Sequence, residues 1–247
     1  MSKKVFRPRH WRERLKFYSK VNWVKTFYFN LKMFPWEIAK KMPVFFYGPV
    51  KFGSLEGTIS IKGPVKKAMI GFGQPYEILS RSKGTALLHL EGHLEFAGAA
   101  QFGKDYFVFI GTAATCKMGH MASLGHSGKI ICFNSVEMGD FARAGFESQI
   151  MDSTFHQMID TVTGEKFPLT RPVSIGSYNY IGHRVSVMPG TITPARCTVA
   201  SNSVCNKDFT FLGVNILIGG IPAKLLKSNI SRDWEGEAAQ MEQWLRV

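Results

Sequence analysis

Few residues in this 247-residue chain combine a reactive side chain with a telling position. His156 is the first. An imidazole with an ordinary pKa of about 6.5 takes up a proton readily at neutral pH, which suits a general base. Asp152 lies four residues earlier, in Ile150-Met151-Asp152-Ser153-Thr154-Phe155-His156. A carboxylate there could orient the imidazole or contact a substrate; equally, it could be a corner residue serving turn geometry. Two more histidines, His120 and His126, stand six residues apart. A catalytic zinc needs three converging ligands and an open position, and no third ligand accompanies them. The four cysteines (Cys116, Cys132, Cys197, Cys205) form no CxxC pair. That disfavours a disulfide framework or a structural zinc and makes a reducing compartment the default.

The element that must position His156 is a six-residue repeat. Ile175, Ile181, Val187, Thr193, Val199 and Cys205 mark one phase, and Asn179, Val185, Thr191, Cys197 and Ser203, mostly small, fall four places after each. Met118, Leu124, Ile130 and Val136 keep the same step, as do Met138, Ala144 and Ile150, with glycines behind several of them. The two-residue slip between Val136 and Met138 reads as a bulge or a loosened corner. Each six residues make one short strand and one corner. The aliphatic residue fills the interior, the small one fits near the corner, and glycine, Asn or Asp relieves unusual φ/ψ there. Three sides close a coil of about 18 residues, and stacked coils form parallel sheets. A sandwich, with strands every 8–12 residues, fits this spacing poorly. His120 and His126 then sit on adjacent sides, facing apart within one chain. His156 stands where the repeat breaks off, before the non-repeating stretch 157–172, a natural place for a pocket.

Composition bounds the rest. Hydrophobic residues make up 45% and charged residues 20%, enough apolar material for a real core. No uninterrupted apolar run approaches the length of a spanning helix, and the first residues lack the pattern of a secretory signal. The net charge of +13 is concentrated in residues 1–67, which hold 16 Lys/Arg against three acids (Glu13, Glu37, Glu56). Within that segment Val24, Phe27, Tyr28, Leu31 and Phe34 fall at helical spacing, with Trp23, Trp36 and several lysines around them. The stretch reads either as a helix docked by its apolar face with lysines outside, or as a helix lying on an anionic membrane. No motif of a nucleic-acid reader is present. Residues 1–47 are thus a basic amphipathic segment, 48–230 a β-helix domain with the loop 157–172, and 231–247 a C-terminal helix in which Trp234, Ala238, Met241 and Leu245 share a face.

Val173-Ser174-Ile175-Gly176-Ser177-Tyr178-Asn179-Tyr180-Ile181-Gly182, followed by Val187-Met188-Pro189-Gly190, resembles the hexapeptide-repeat acyltransferases. The likeness is to their maltose/galactoside and xenobiotic O-acetyltransferase type. The His156 element is similar to that family's Asp-Thr-Asp-x-His, and Gly219-Gly220-Ile221-Pro222-Ala223-Lys224 to its closing Gly-Asn-Pro-Ala-Lys. The resemblance spans roughly 105–230. It implies an all-β, left-handed parallel β-helix, a homotrimer, and active sites at the subunit interfaces. It implies acetyl-CoA as donor, a sugar hydroxyl of a glycan or polysaccharide precursor as acceptor, and no metal. His156 would be the general base, with Asp152 beside it. His183, Ser201, Asn206, Lys207, Lys224 and Lys227 would meet the coenzyme, the lysines at its phosphates. An amino-sugar N-acyltransferase, a carbonic-anhydrase-like metal trimer and a non-catalytic β-helix are the alternatives. A cytoplasmic enzyme, peripheral at the inner face of the membrane if 1–47 binds lipid, is the expected setting.

Overall fold

The computed structural model describes residues 18–74 and 84–237. Its strands pair in parallel with the strand one coil below and one coil above, so the chain winds instead of doubling back. Three sheets result. Sheet 1 runs from Val44–Phe46 to Ile216–Gly220, sheet 2 from Val50–Leu55 to Val204–Cys205, and sheet 3 from Thr58–Ile61 to Ile192–Thr193. Successive strands visit the three sheets in turn, and the architecture is a left-handed parallel β-helix. It opens at Val44, four residues before the boundary expected at 48. At the other end Ala223–Ser228 folds back antiparallel onto Ile216–Gly220 and covers that edge.

The six-residue phase is the stacking register. Met118 lies opposite Met138, Met138 opposite Ile175, and Ile175 opposite Thr193. Leu124, Ala144, Ile181 and Val199 form a second column, and Ile130, Ile150, Val187 and Cys205 a third. All twelve are buried. The slip at 136–138 is not a bulge. Val136 and Met138 both point inward from one strand, Ser135–Met138, which is two residues longer than the six-period requires. Small polar residues at the inner corners bond one another and the main chain there: Thr193 Oγ1 donates to the side-chain Oδ1 of Asn179 (2.7 Å), Asn179 Nδ2 to the Pro194 carbonyl (2.8 Å), and Ser148 Oγ to that of Gly182 (2.9 Å).

The corners correct a second expectation. Gly119, Gly139 and Gly176 stack at the corner between sheets 3 and 1, and Gly125, Gly145 and Gly182 between sheets 1 and 2, yet none has a positive φ. They are glycines because coils touch there: a Cβ on Gly119 would lie 2.3 Å from the Gly139 carbonyl carbon, and one on Gly182 2.7 Å from the Ser201 nitrogen. The left-handed positions are occupied instead by Met121, Phe141, Tyr178 and Arg196 on one edge and by Ser127, Glu147, Arg184 and Asn202 on the next, with φ between 54° and 62°. Each costs about 1–2 kcal/mol. The turn aims each N–H at the coil below, as in Phe141 N to His120 O (2.7 Å) and Tyr178 N to Asp140 O (2.7 Å). The outward rings also stack, Phe141 on Tyr178 at 5.1 Å.

Helix α1 (Trp23–Met33) and the short α2 (Trp36–Ala39) close the N-terminal end. The first strand of sheet 1 would otherwise present unpaired main-chain groups. Asn30 accepts the Val44 N–H (3.2 Å) and donates to the Val44 carbonyl (2.7 Å), and Thr26 Oγ1 accepts the Phe46 N–H (3.0 Å). Phe29 packs edge-on against Phe46 beside them. The docked face is therefore Thr26, Phe29 and Asn30, not the apolar stripe; of that stripe only Phe34 is buried. At the other terminus a helical turn begins at Trp234, which is buried against Tyr178, while 238–247 lie outside the described residues.

Candidate active site

Strand Gln149–Met151 ends on sheet 2 and Val173–Ile175 begins on sheet 3. The intervening residues leave the prism as a hairpin. Its arms meet at Ile159 and Lys166, and its tip is fastened by Asp160, whose carboxylate accepts the Val162 and Thr163 N–H groups (2.8 Å each). Those bonds hold the Asp160 carboxyl below the usual carboxylate range. The root is held by Thr154 N to Leu169 O (3.1 Å) and Arg171 N to Asp152 O (2.9 Å).

His156 stands on the ascending arm, exposed. Its main chain is fixed: the N–H donates to the Thr154 carbonyl (2.8 Å), and its own carbonyl accepts from Thr154 Oγ1 (3.1 Å). Before it, Phe155 is left-handed, donates its N–H to Ser153 Oγ (3.0 Å), and sets its ring edge-on to Phe133. The imidazole itself has no hydrogen-bond partner among the described residues. Both ring nitrogens are therefore uncommitted.

Asp152 does not join it. The carboxylate is fully buried and accepts three main-chain N–H groups of the coil beneath: Phe133 on Oδ1 (2.8 Å), Asn134 and Ser135 on Oδ2 (2.7 Å each). This is the corner role, and it replaces the expectation that Asp152 orients the imidazole or touches a substrate. The carboxylate roots the hairpin.

The six residues expected to meet a donor fall in two groups either side of sheet 2. His183 and Ser201 lie on the corner between sheets 1 and 2. There His183 Nδ1 accepts the Phe146 N–H (3.0 Å), its ring stacks on Phe146 at 4.7 Å, and its own N–H donates to Ser201 Oγ (3.0 Å). With Nδ1 accepting, the proton of the neutral ring is on Nε2. Lys224 pairs opposite Gly219 on the fold-back strand, above that corner, and Lys227 lies further along it, both exposed. Asn206 and Lys207 are exposed on the opposite corner, between sheets 2 and 3, with the Lys207 ammonium 5.5 Å from the Phe209 ring. That is the corner the His156 hairpin leaves, two coils lower.

Two other chemistries are disfavoured by geometry. Nδ1 of His120 accepts the Ala99 N–H (3.2 Å) and Nδ1 of His126 that of Lys104 (2.8 Å), so these nitrogens are already committed to the main chain. Burial pushes the thiols of Cys116, Cys197 and Cys205 up to about 12 and that of Cys132 further, which keeps them from acting as thiolate nucleophiles. Apolar side chains around His156 were not picked out from the sequence: Phe133, Phe155, Met158, Ile159, Phe167 and Leu169 are all substantially exposed. For all but Phe133, which sits between two repeat strands, the signal was their density between Ile150 and Val173, where the repeat lapses.

No family model matches the chain. A "Probable acetyltransferase Rv3034c" of Mycobacterium tuberculosis is 29% identical over 127 residues, which are 50% of this chain and 40% of that protein, so the match spans less than half of the relative. Among solved structures, the polySia-specific acetyltransferase NeuO superposes with a TM-score of 0.58 at 16% identity, over 77% of this chain and 78% of its own. The fold is one that acetyltransferases use. The polysialic acid O-acetyltransferase OatWY is also similar, with a TM-score of 0.41 and 19% identity over 75% and 87% of the two chains.

Proposed function

We propose that the protein is an acyl-CoA-dependent O-acyltransferase that moves an acetyl group to a sugar hydroxyl, with His156 as general base. The observation that carries this reading is the imidazole itself: main chain fixed, both nitrogens uncommitted, on a hairpin rooted in a rigid prism. The acceptor oxygen attacks the thioester carbonyl and gives its proton to His156. A C–O bond forms, the C–S bond breaks, and the imidazolium returns the proton to the departing coenzyme A thiolate. With the cysteines protonated, transfer runs directly from donor to acceptor without an acyl-cysteine. The pantetheine arm follows the His183–Ser201 corner, where the outward Nε2–H of His183 can donate to a carbonyl oxygen, and Lys224 and Lys227 meet the phosphates. A sugar acceptor is supported by the polySia named for the structural neighbour.

Within one chain the His156 corner and the His183 corner lie on opposite edges of sheet 2. A threefold assembly that sets one edge of each copy against the other edge of the next completes the site, and it covers the apolar hairpin residues Met158, Ile159 and Phe167. We therefore read the enzyme as a homotrimer. Its four free cysteines suit the reducing cytoplasm. The test is incubation of the full-length protein with acetyl-CoA and glycan precursors, read by mass spectrometry. An acceptor heavier by one acetyl group is expected; free coenzyme A with no acetylated product would refute the transfer.

A further inference from the structure

Helix α1 has two unlike faces. Thr26, Phe29 and Asn30 are buried against the first coil, whereas Val24, Phe27 and Leu31 lie on the opposite side with between 49% and 78% of their surface exposed; Trp23 and Tyr28 flank them, half-exposed, with their rings reaching back to Phe45 and Phe52. That outer face carries no charged residue. Trp36, on α2, is 66% exposed as well. Lysines border the outer face: Lys20 just ahead of the helix, Lys25 and Lys32 along its flank, and Lys40 and Lys41 behind. Over 18–55 the sequence holds six lysines and one acid, Glu37, which pairs with Lys40. None of the helices among the described residues is long and apolar enough to cross a membrane.

We infer that the N-terminal end of the prism docks on an anionic lipid bilayer, with α1 lying flat in the interface. The charge pattern favours lipid over protein. An apolar face with aromatic residues and a lysine border is the arrangement that buries rings among headgroups while ammonium groups meet lipid phosphates. The polar contacts of Thr26 and Asn30 are spent on the strand edge, so the outer face can insert without undoing the cap. Residues 1–17, which lie outside the described residues, hold seven Lys/Arg and one acid.

Co-sedimentation of the full-length protein with vesicles tests this, using phosphatidylcholine alone or mixed with phosphatidylglycerol. Binding to the anionic vesicles is expected at 0.1 M salt and is lost at 1 M, where the Debye length falls from about 10 Å to about 3 Å. The triple variant Val24→Ser, Phe27→Ser, Leu31→Ser alters only exposed positions, so its melting temperature holds while binding drops roughly tenfold or more. The pair Lys20→Glu, Lys32→Glu lowers binding independently. Protein left in the supernatant at low salt overturns the inference. Undiminished binding by the triple variant does so too, since 1–17 alone would then be the anchor. So does a change in solution mass of that variant without vesicle capture, which would make the face a contact between copies.

Discussion

Two histidines flank sheet 2, and they are built for opposite purposes. His183 is committed: its ring accepts a main-chain N–H from the coil below and stacks on Phe146. His156 is held only through its backbone, and its ring is left to solvent. The regular coil fixes a side chain by giving it a partner one step down. The hairpin, having left the coil, fixes the backbone and leaves the ring free. The proposed base thus stands on the second kind of support and the proposed donor contact on the first.

Substitutions at the two edges should therefore diverge. His156→Ala is expected to lose roughly 10²–10⁴-fold in turnover with an unchanged melting curve. Steady-state kinetics and thermal melting check this, and retained turnover would remove His156 from the chemistry. Asp152→Ala should behave in the reverse way. It strips three main-chain N–H groups of a buried carboxylate, so about 3–5 kcal/mol of stability should go, measured by denaturant unfolding. Hydrogen exchange should rise at Phe133, Asn134 and Ser135 before it rises elsewhere. Gly182→Ala sets a methyl against the Ser201 main chain and should cost about 1–3 kcal/mol. The same change at Gly164, on the hairpin tip, meets nothing within 4 Å and costs only the strain of its φ of 75°. His183→Ala should have the smallest effect, raising the KM for acetyl-CoA roughly tenfold with little change in kcat, since one hydrogen bond to the donor is lost. A fall in kcat alone would move His183 from binding to chemistry.

Much of the prism was legible because mostly apolar residues fall six apart in three runs between Met118 and Cys205, and that step sets the stacking register. The lower coils hid from the same reading. Their interior is filled by Phe46, Phe72 and Phe102, stacked ring on ring at 5.1 and 4.2 Å, and the inserts between them break any fixed interval. Asp152 was ambiguous for a related reason: its three partners lie 17–19 residues earlier, adjacent only once the coils are stacked. Nothing about Phe141 or Tyr178 announces a left-handed backbone; the carbonyl one coil below selects it. The helix reversed its expected faces because a bare strand edge asks for Thr26 and Asn30 more urgently than the core asks for Phe27. That His156 follows the last repeat before the insert was legible, while the state of its ring depended on what the hairpin does not offer it.

The stack of coils is also a measure of length. The hairpin leaves the fifth coil, four steps above the strand that α1 covers, and each step between parallel strands is about 4.8 Å. With the N-terminal end resting on a bilayer, the root of the hairpin would stand about 19 Å above the first strand, and farther still from the headgroups because α1 lies between. A sugar joined directly to a lipid would lie beneath that height, whereas one several units along a growing chain would reach it. The prism would then choose among hydroxyls by altitude, before any pocket contact discriminates between them.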